Sequence, residues 1–173
     1  LFFQIQVNAA NQPIGAEALL RWLHPKRGLV SPLQFIPLAE DTGLIVSIGE
    51  WSLRQSCGQA ATWAGQGMPL ARMAVNVSAM QVLHKGFARL VASILAETGL
   101  DPRLLELELT ESAIVSDEET VLAVLQSLKQ TGVQLAVDDF GIRYSRLGRL
   151  KRLPIDRLKI DKSVVADIGL DSG

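Results

Sequence analysis

Short apolar runs alternate with longer amphipathic segments along the whole chain. Phe2 to Val7 reads as a strand and Asn8 to Pro13 as the turn after it. Ile14 to His24 reads as a second strand, closed by Pro25 and a turn at Gly28. Ser31 and Pro32 suit the N-cap and first position of a helix that ends at Gly43. A longer helix is expected over Val46 to Ala64, with a break from Gln66 to Pro69. Ala71 to Ser78 is then a strand, and Gln81 to Thr98 a helix closed by Gly99. Leu104 to Thr110 alternates Leu with Glu at the two-residue period of β-structure. Asp117 to Thr131 predicts a helix, Val133 to Asp139 a strand, and Ser145 to Arg152 a short helix before Pro154. Ile155 to Asp161 is a last strand, and Ser163 opens a further helix. Repeating strand–helix units of this size predict a parallel α/β sheet, closed as a barrel or doubly wound.

Composition narrows the classes. The chain has 173 residues, 48% hydrophobic and 20% charged, enough for one globular core. A net charge of −1 gives no basic field for a nucleic-acid polymer. The single cysteine, Cys57, excludes an intrachain disulfide and fits a reducing, cytoplasmic setting; its apolar helical context marks a buried structural thiol. No apolar run is long enough to cross a bilayer, so no membrane contact is expected of this domain. The chain starts without methionine, in what reads as mid-strand, and without the features of a signal peptide, so it reads as part of a longer protein. It has neither a phosphate-binding P-loop nor a dinucleotide glycine fingerprint.

The candidate chemistry lies at strand ends. Glu17 sits in the second strand, Asn76 near the end of the third and Glu108 near the end of the fourth. Asp138 and Asp139 end the fifth, and Lys159 and Asp161 the sixth. In a parallel barrel these ends open on one face, where residues remote in sequence converge. Oxygen ligands without a histidine or cysteine cluster suit Mg²⁺, Mn²⁺ or Ca²⁺ rather than zinc. Adjacent aspartates can reach two ions that clamp the attacking and leaving oxygens of a phosphoryl displacement. A lysine beside them can stabilise negative charge or a nucleophile.

Taken singly, each of these positions has a plainer reading. An acidic residue at a strand end is usually a turn former or helix cap. Glu106 shares a face with Glu108, and one of the two can simply face solvent or a helix. Glu111 can be a helix-start carboxylate, and Lys159 a snorkelling surface residue. His24 and His84 are isolated and read as surface or packing residues. Trp22, Trp51 and Trp63 read as core or contact residues, and the basic cluster from Arg143 to Arg152 as a solvated helix face. The case for a site rests on recurrence at several strand ends.

Five ordered motifs resemble the EAL-domain family: EALLRW from Glu17, NVS from Asn76, ELTES from Glu108, DDFG from Asp138 and LKID from Leu158. The resemblance runs nearly end to end. It implies a TIM-like (β/α) barrel that hydrolyses cyclic di-GMP to linear pGpG with Mg²⁺ or Mn²⁺. By the same resemblance, Glu17, Asn76, Glu108 and Asp138 ligate a metal, and Asp139 binds a second. Lys159 orients or activates the nucleophilic water, and Glu111 braces the loop after Asp139. Arg21 contacts a substrate phosphate with Leu20 nearby, and Gln4 sits near a guanine. The family commonly forms homodimers through this barrel and is commonly fused to sensory or GGDEF domains.

Two features depart from the family pattern. After DDFG the family usually has a small hydroxyl residue and a glycine; here the chain has Ile142 and Arg143. An eight-stranded barrel needs about 250 residues, and about six strands are legible here, so the chain reads as a partial EAL domain over residues 1–173. A later catalytic glutamate and a glutamine of the family have no counterpart before Gly173. These departures leave an alternative: a domain of weak or no activity that serves as a cyclic di-GMP receptor or protein-docking module. An unrelated metal-dependent barrel enzyme is the third reading.

Overall fold

The computed structural model describes residues 1–68, 71–110, 118–141 and 152–166. Its main sheet has six strands: β1 (Phe2–Val7), β2 (Pro13–Leu19), β5 (Met73–Val77), β6 (Leu105–Thr110), β7 (Gln134–Phe140) and β8 (Arg157–Ile160). They lie in the order β1-β2-β5-β6-β7-β8. A separate hairpin pairs β3 (Trp22–His24) with β4 (Gly28–Val30). The helices are α1 (Pro32–Asp41), α2 (Leu44–Gly65), α3 (Ala79–Leu83), α4 (Phe87–Thr98), α5 (Glu118–Gln130) and α6 (Lys162–Ala166). None of them is long and apolar enough to cross a membrane.

The two faces of the sheet differ in chemistry. Val75, Leu107, Leu109, Leu135 and Val137 join a core with Leu53 of α2, Val91 and Ile94 of α4, and Leu125 of α5. Residues of opposite parity on the same strands, Asn76, Glu106, Glu108 and Asp138, therefore point to the other face. That face is the inside of a curl. Lys159 of β8 reaches Glu17 of β2 at 3.4 Å, although four strand spacings would put them roughly 19 Å apart on a flat sheet. The architecture is an incomplete TIM-like (β/α) barrel, with helices outside and polar side chains within.

Three expectations from the sequence need correction, and a fourth falls outside the described residues. The sheet is not wholly parallel, because β1 runs antiparallel to β2. Only a tight turn joins them, in which Asn8 Oδ1 accepts from the backbone of Ala10 and Gln12. A parallel pairing would need a crossover of a dozen or more residues. The expected strand Ile14 to His24 is two strands: β2 ends at Leu19, and Trp22 starts the hairpin with β4. The expected helix Gln81 to Thr98 is also two, broken where Gly86 adopts φ +91°. The helix expected over Ser145 to Arg152 lies outside the described residues except for Arg152.

Candidate functional site

Register brings the strand-end residues together. Asn76 pairs with Glu108 across β5 and β6, and Thr110 pairs with Asp138 across β6 and β7. Glu17 pairs with Ala74 on β5, one row from Asn76. At the centre stands Lys159. Its ammonium donates to Glu108 Oε2 at 2.7 Å, to Asp138 Oδ2 at 2.9 Å and to Glu17 Oε2 at 3.4 Å. Asn76 Nδ2 donates to Glu17 Oε1 at 3.0 Å.

Glu108 is only 1% exposed, and its Oε1 has no hydrogen-bond partner among the described residues. Burial pushes its carboxyl up to about 7, against the opposing pull of Lys159. Lys159 is itself disfavoured as a cation by burial, but its hydrogen bond to Glu108 and the charge of Glu108, then its hydrogen bond to Asp138 and the charge of Glu17, hold its pKa above the ordinary lysine value. Glu17, Glu108 and Asp138 place carboxylate oxygens within 4.8 Å of one another. Three carboxylates against one ammonium leave an acidic excess, and one of them, Glu108, keeps a buried oxygen without a hydrogen-bond partner among the described residues. All-oxygen donors at this spacing fit a hard divalent cation.

Asp139 behaves differently from its neighbour. It adopts φ +56°, a conformation that aspartate tolerates better than most residues. Its backbone N–H donates to Asp138 Oδ1 at 2.9 Å, and its own side chain is exposed and outside the tight carboxylate group. Burial of its carboxyl, then the Asp138 charge, raise its pKa. Asp161 follows the plainer reading: its Oδ1 accepts from Ser163 N at 2.8 Å at the start of α6.

A cleft of about 450 Å³ adjoins the site, lined by Leu20, Arg21 and Asn76 and, from α1, by Pro32, Ile36 and Glu40. The Arg21 guanidinium lies 5.6 Å from the centre of the Phe2 ring and donates to the Leu20 carbonyl at 2.8 Å. Gln4 pairs in register with Glu17 on exposed β1, but does not line this cleft. The α1 residues escaped the reading of the sequence. Their spacing of four was the available signal, since it puts Pro32, Ile36 and Glu40 on one helix face. His24 accepts from Lys26 N, and His84 closes α3; neither belongs to the carboxylate group. Glu111, Ile142 and Arg143 lie outside the described residues.

A family model described as EAL domain matches residues 1–173. The chain is 47% identical over 173 residues to MucR of Pseudomonas aeruginosa, a bifunctional diguanylate cyclase/cyclic di-GMP phosphodiesterase. That match covers 99% of this chain and 25% of that protein. It is 39% identical over 168 residues to the cyclic di-GMP phosphodiesterase PdeR of Escherichia coli, covering 97% of this chain and 25% of PdeR. The solved structure of the PaMucR phosphodiesterase in complex with c-di-GMP matches with a TM-score of 0.91 and 46% identity, over 98% of this chain and 69% of that one. The chain thus spans about a quarter of the length of these two curated relatives.

Proposed function

The chain belongs to the EAL-domain family, and from that premise we propose that it is a metal-dependent phosphodiesterase domain that hydrolyses cyclic di-GMP to linear pGpG in bacterial second-messenger signalling. The observation that carries this reading is the convergence of Glu17, Glu108 and Asp138 to within 4.8 Å of one another, with one Glu108 oxygen buried and partnerless among the described residues. Relatives named as cyclic di-GMP phosphodiesterases supply the substrate class.

In this reading Glu17, Asn76, Glu108 and Asp138 hold one Mg²⁺ or Mn²⁺, and Asp139 reaches a second. Such cations supply charge neutralisation and make a nearby water a stronger nucleophile at neutral pH. Lys159 orients that water and offsets negative charge gathering on the phosphate. Arg21 takes a phosphate oxygen at the cleft, Leu20 packs beside it, and Gln4 meets a guanine edge. Glu111 braces the loop after Asp139. The same reading makes the domain a cytoplasmic part of a larger protein, fused to sensory or GGDEF modules and paired as a homodimer.

One observation favours a second reading. Ile142 and Arg143 stand where the family usually has a small hydroxyl residue and glycine. Losing that glycine removes backbone freedom, which suits a receptor that binds cyclic di-GMP or docks a protein with little turnover. The deciding experiment measures hydrolysis and binding of cyclic di-GMP by this chain and by its full-length parent, with Mg²⁺ or Mn²⁺ and with Asp138→Ala as control. Turnover abolished by Asp138→Ala supports the phosphodiesterase. Binding without turnover in the parent overturns it in favour of the receptor.

A further inference from the structure

Beneath the acidic cluster lies a second polar layer inside the curl. Glu106 is 1% exposed and points to the same face as Glu108. Arg157 Nη1 donates to Glu106 Oε2. Arg72 Nε lies 3.7 Å from Glu106 Oε1 and donates to Gln6 Oε1 at 2.8 Å.

This layer mirrors the one above it. On β6 the acids are Glu106 and Glu108; on β8 the bases are Arg157 and Lys159, at the same two-residue step. Both bonds join strands that are not neighbours, because β7 lies between β6 and β8. Ala136 is the β7 residue paired in register with both Glu108 and Arg157, and its methyl leaves room for the long side chains to pass.

Backbone pairing flanks Lys159 on both sides but does not include it. β8 pairs with β7 at Arg157, Leu158 and Ile160, and the register shifts between Val137 and Phe140, so Lys159 has no paired partner there. A slip of β8 by two residues would keep its faces but shift each base by one acid, carrying the Lys159 ammonium to Glu106 or the Arg157 guanidinium to Glu108. The first leaves the buried Glu108 carboxylate without its cation, and the second leaves Glu106 with Arg72 alone, at 3.7 Å; breaking a buried ion pair is costly.

We propose that Arg157 and Glu106 are a positioning pair that sets the register of β8 and so holds the Lys159 ammonium on Glu108 and Asp138, a role that rests on the phosphodiesterase reading only where turnover is measured. Arg157 bonds to Glu106, and neither belongs to the Glu17–Glu108–Asp138 group that could hold a cation. They act through Lys159.

The test uses two readouts on Arg157→Met, Arg157→Lys and Glu106→Gln. The first is the ¹⁵N–¹H signal of the Lys159 ammonium in the metal-free chain, assigned by its loss in Lys159→Arg. In the unaltered chain this signal is expected to be protected from exchange. Arg157→Met and Glu106→Gln should abolish the protection while circular dichroism shows a folded chain, and Arg157→Lys should restore most of it. The second readout is kinetic, in the full-length parent: kcat should fall about tenfold in Arg157→Met, with KM changed less than about twofold. Should Arg157→Met not fold, Glu106→Gln, which keeps volume and shape, decides alone. An unprotected signal in the unaltered chain, or protection and kcat both kept in the variants, overturns the positioning role. So does failure of both Arg157→Met and Glu106→Gln to fold, because the pair would then be structural only. A parent that hydrolyses no cyclic di-GMP sinks the phosphodiesterase reading instead, and the ammonium signal still decides the positioning role.

Discussion

Lys159 on β8 donates to Glu108 on β6 at 2.7 Å, reaching over the intervening β7. In the metal-free chain this contact puts a cation beside a carboxylate that has no other hydrogen-bond partner among the described residues. Lys159→Met should therefore destabilise the metal-free chain by about 1–3 kcal/mol, the usual cost of orphaning a buried polar group. Added Mg²⁺ should recover more stability in the variant than in the parent sequence, because the ion replaces the lost charge. Thermal unfolding with EDTA and with Mg²⁺ checks both. Equal Mg²⁺ stabilisation in the two chains would argue against a cation site at these carboxylates.

Glu108 makes metal binding depend on pH. Its folded-state pKa is raised by burial from 4.5 to about 7, so below that pH a proton occupies the ligand. The metal takes the carboxylate, so affinity should fall as pH drops through about 7 and level off above it. Between pH 8 and pH 6 a single site of this kind loses about tenfold in apparent affinity. Calorimetric titration of Mn²⁺ at the two pH values measures this, and Glu108→Gln should bind weakly at both. Affinity that does not change with pH would mean that Glu108 is not a ligand.

Much of this site was legible in the sequence because its residues sit at the ends of apolar runs. The Leu/Glu alternation of β6 already put Glu106 and Glu108 on one face, opposite Leu105, Leu107 and Leu109. It did not say which face was interior, since all five are buried and only the curl of the sheet explains why. Periodicity also failed at Leu20 and Arg21. Their apolar and cationic neighbours continue the strand pattern, yet the chain leaves the sheet there to form the β3–β4 hairpin. The Arg157–Glu106 pair was invisible because it joins strands separated by a third, a relation that register creates and local pattern does not carry.

Cys57 should be inert. It is fully buried in α2, and burial alone pushes its thiol up to about 12, so almost no thiolate exists at neutral pH. Iodoacetamide at pH 8 should leave the native chain unmodified for hours and label it rapidly in denaturant. Mass spectrometry reads the result. Fast labelling of the native chain would show that the α2 interface opens readily.

Gly49 and Gly58 lie on the same helix but should respond oppositely to alanine. A methyl on Gly49 would overlap the Gln81 carboxamide, whereas one on Gly58 meets nothing within 4 Å. Gln81 is 3% exposed and completes a capping box: its Oε1 accepts from Ser78 N at 3.1 Å, and Ser78 Oγ accepts from Gln81 N at 3.3 Å. Displacing the carboxamide breaks the box and strains the packing of α2 on α3. Gly49→Ala should cost about 2 kcal/mol, combining a lost cap with overpacking. Gly58→Ala should gain up to about 1 kcal/mol, from helix propensity. Urea unfolding of both variants gives the two values. The capping box also begins two residues after Asn76, so Gly49→Ala should weaken Mn²⁺ binding while Gly58→Ala leaves it unchanged. Similar stabilities for the two variants would show that Gln81 relaxes freely and that α2 does not hold the end of β5 in place.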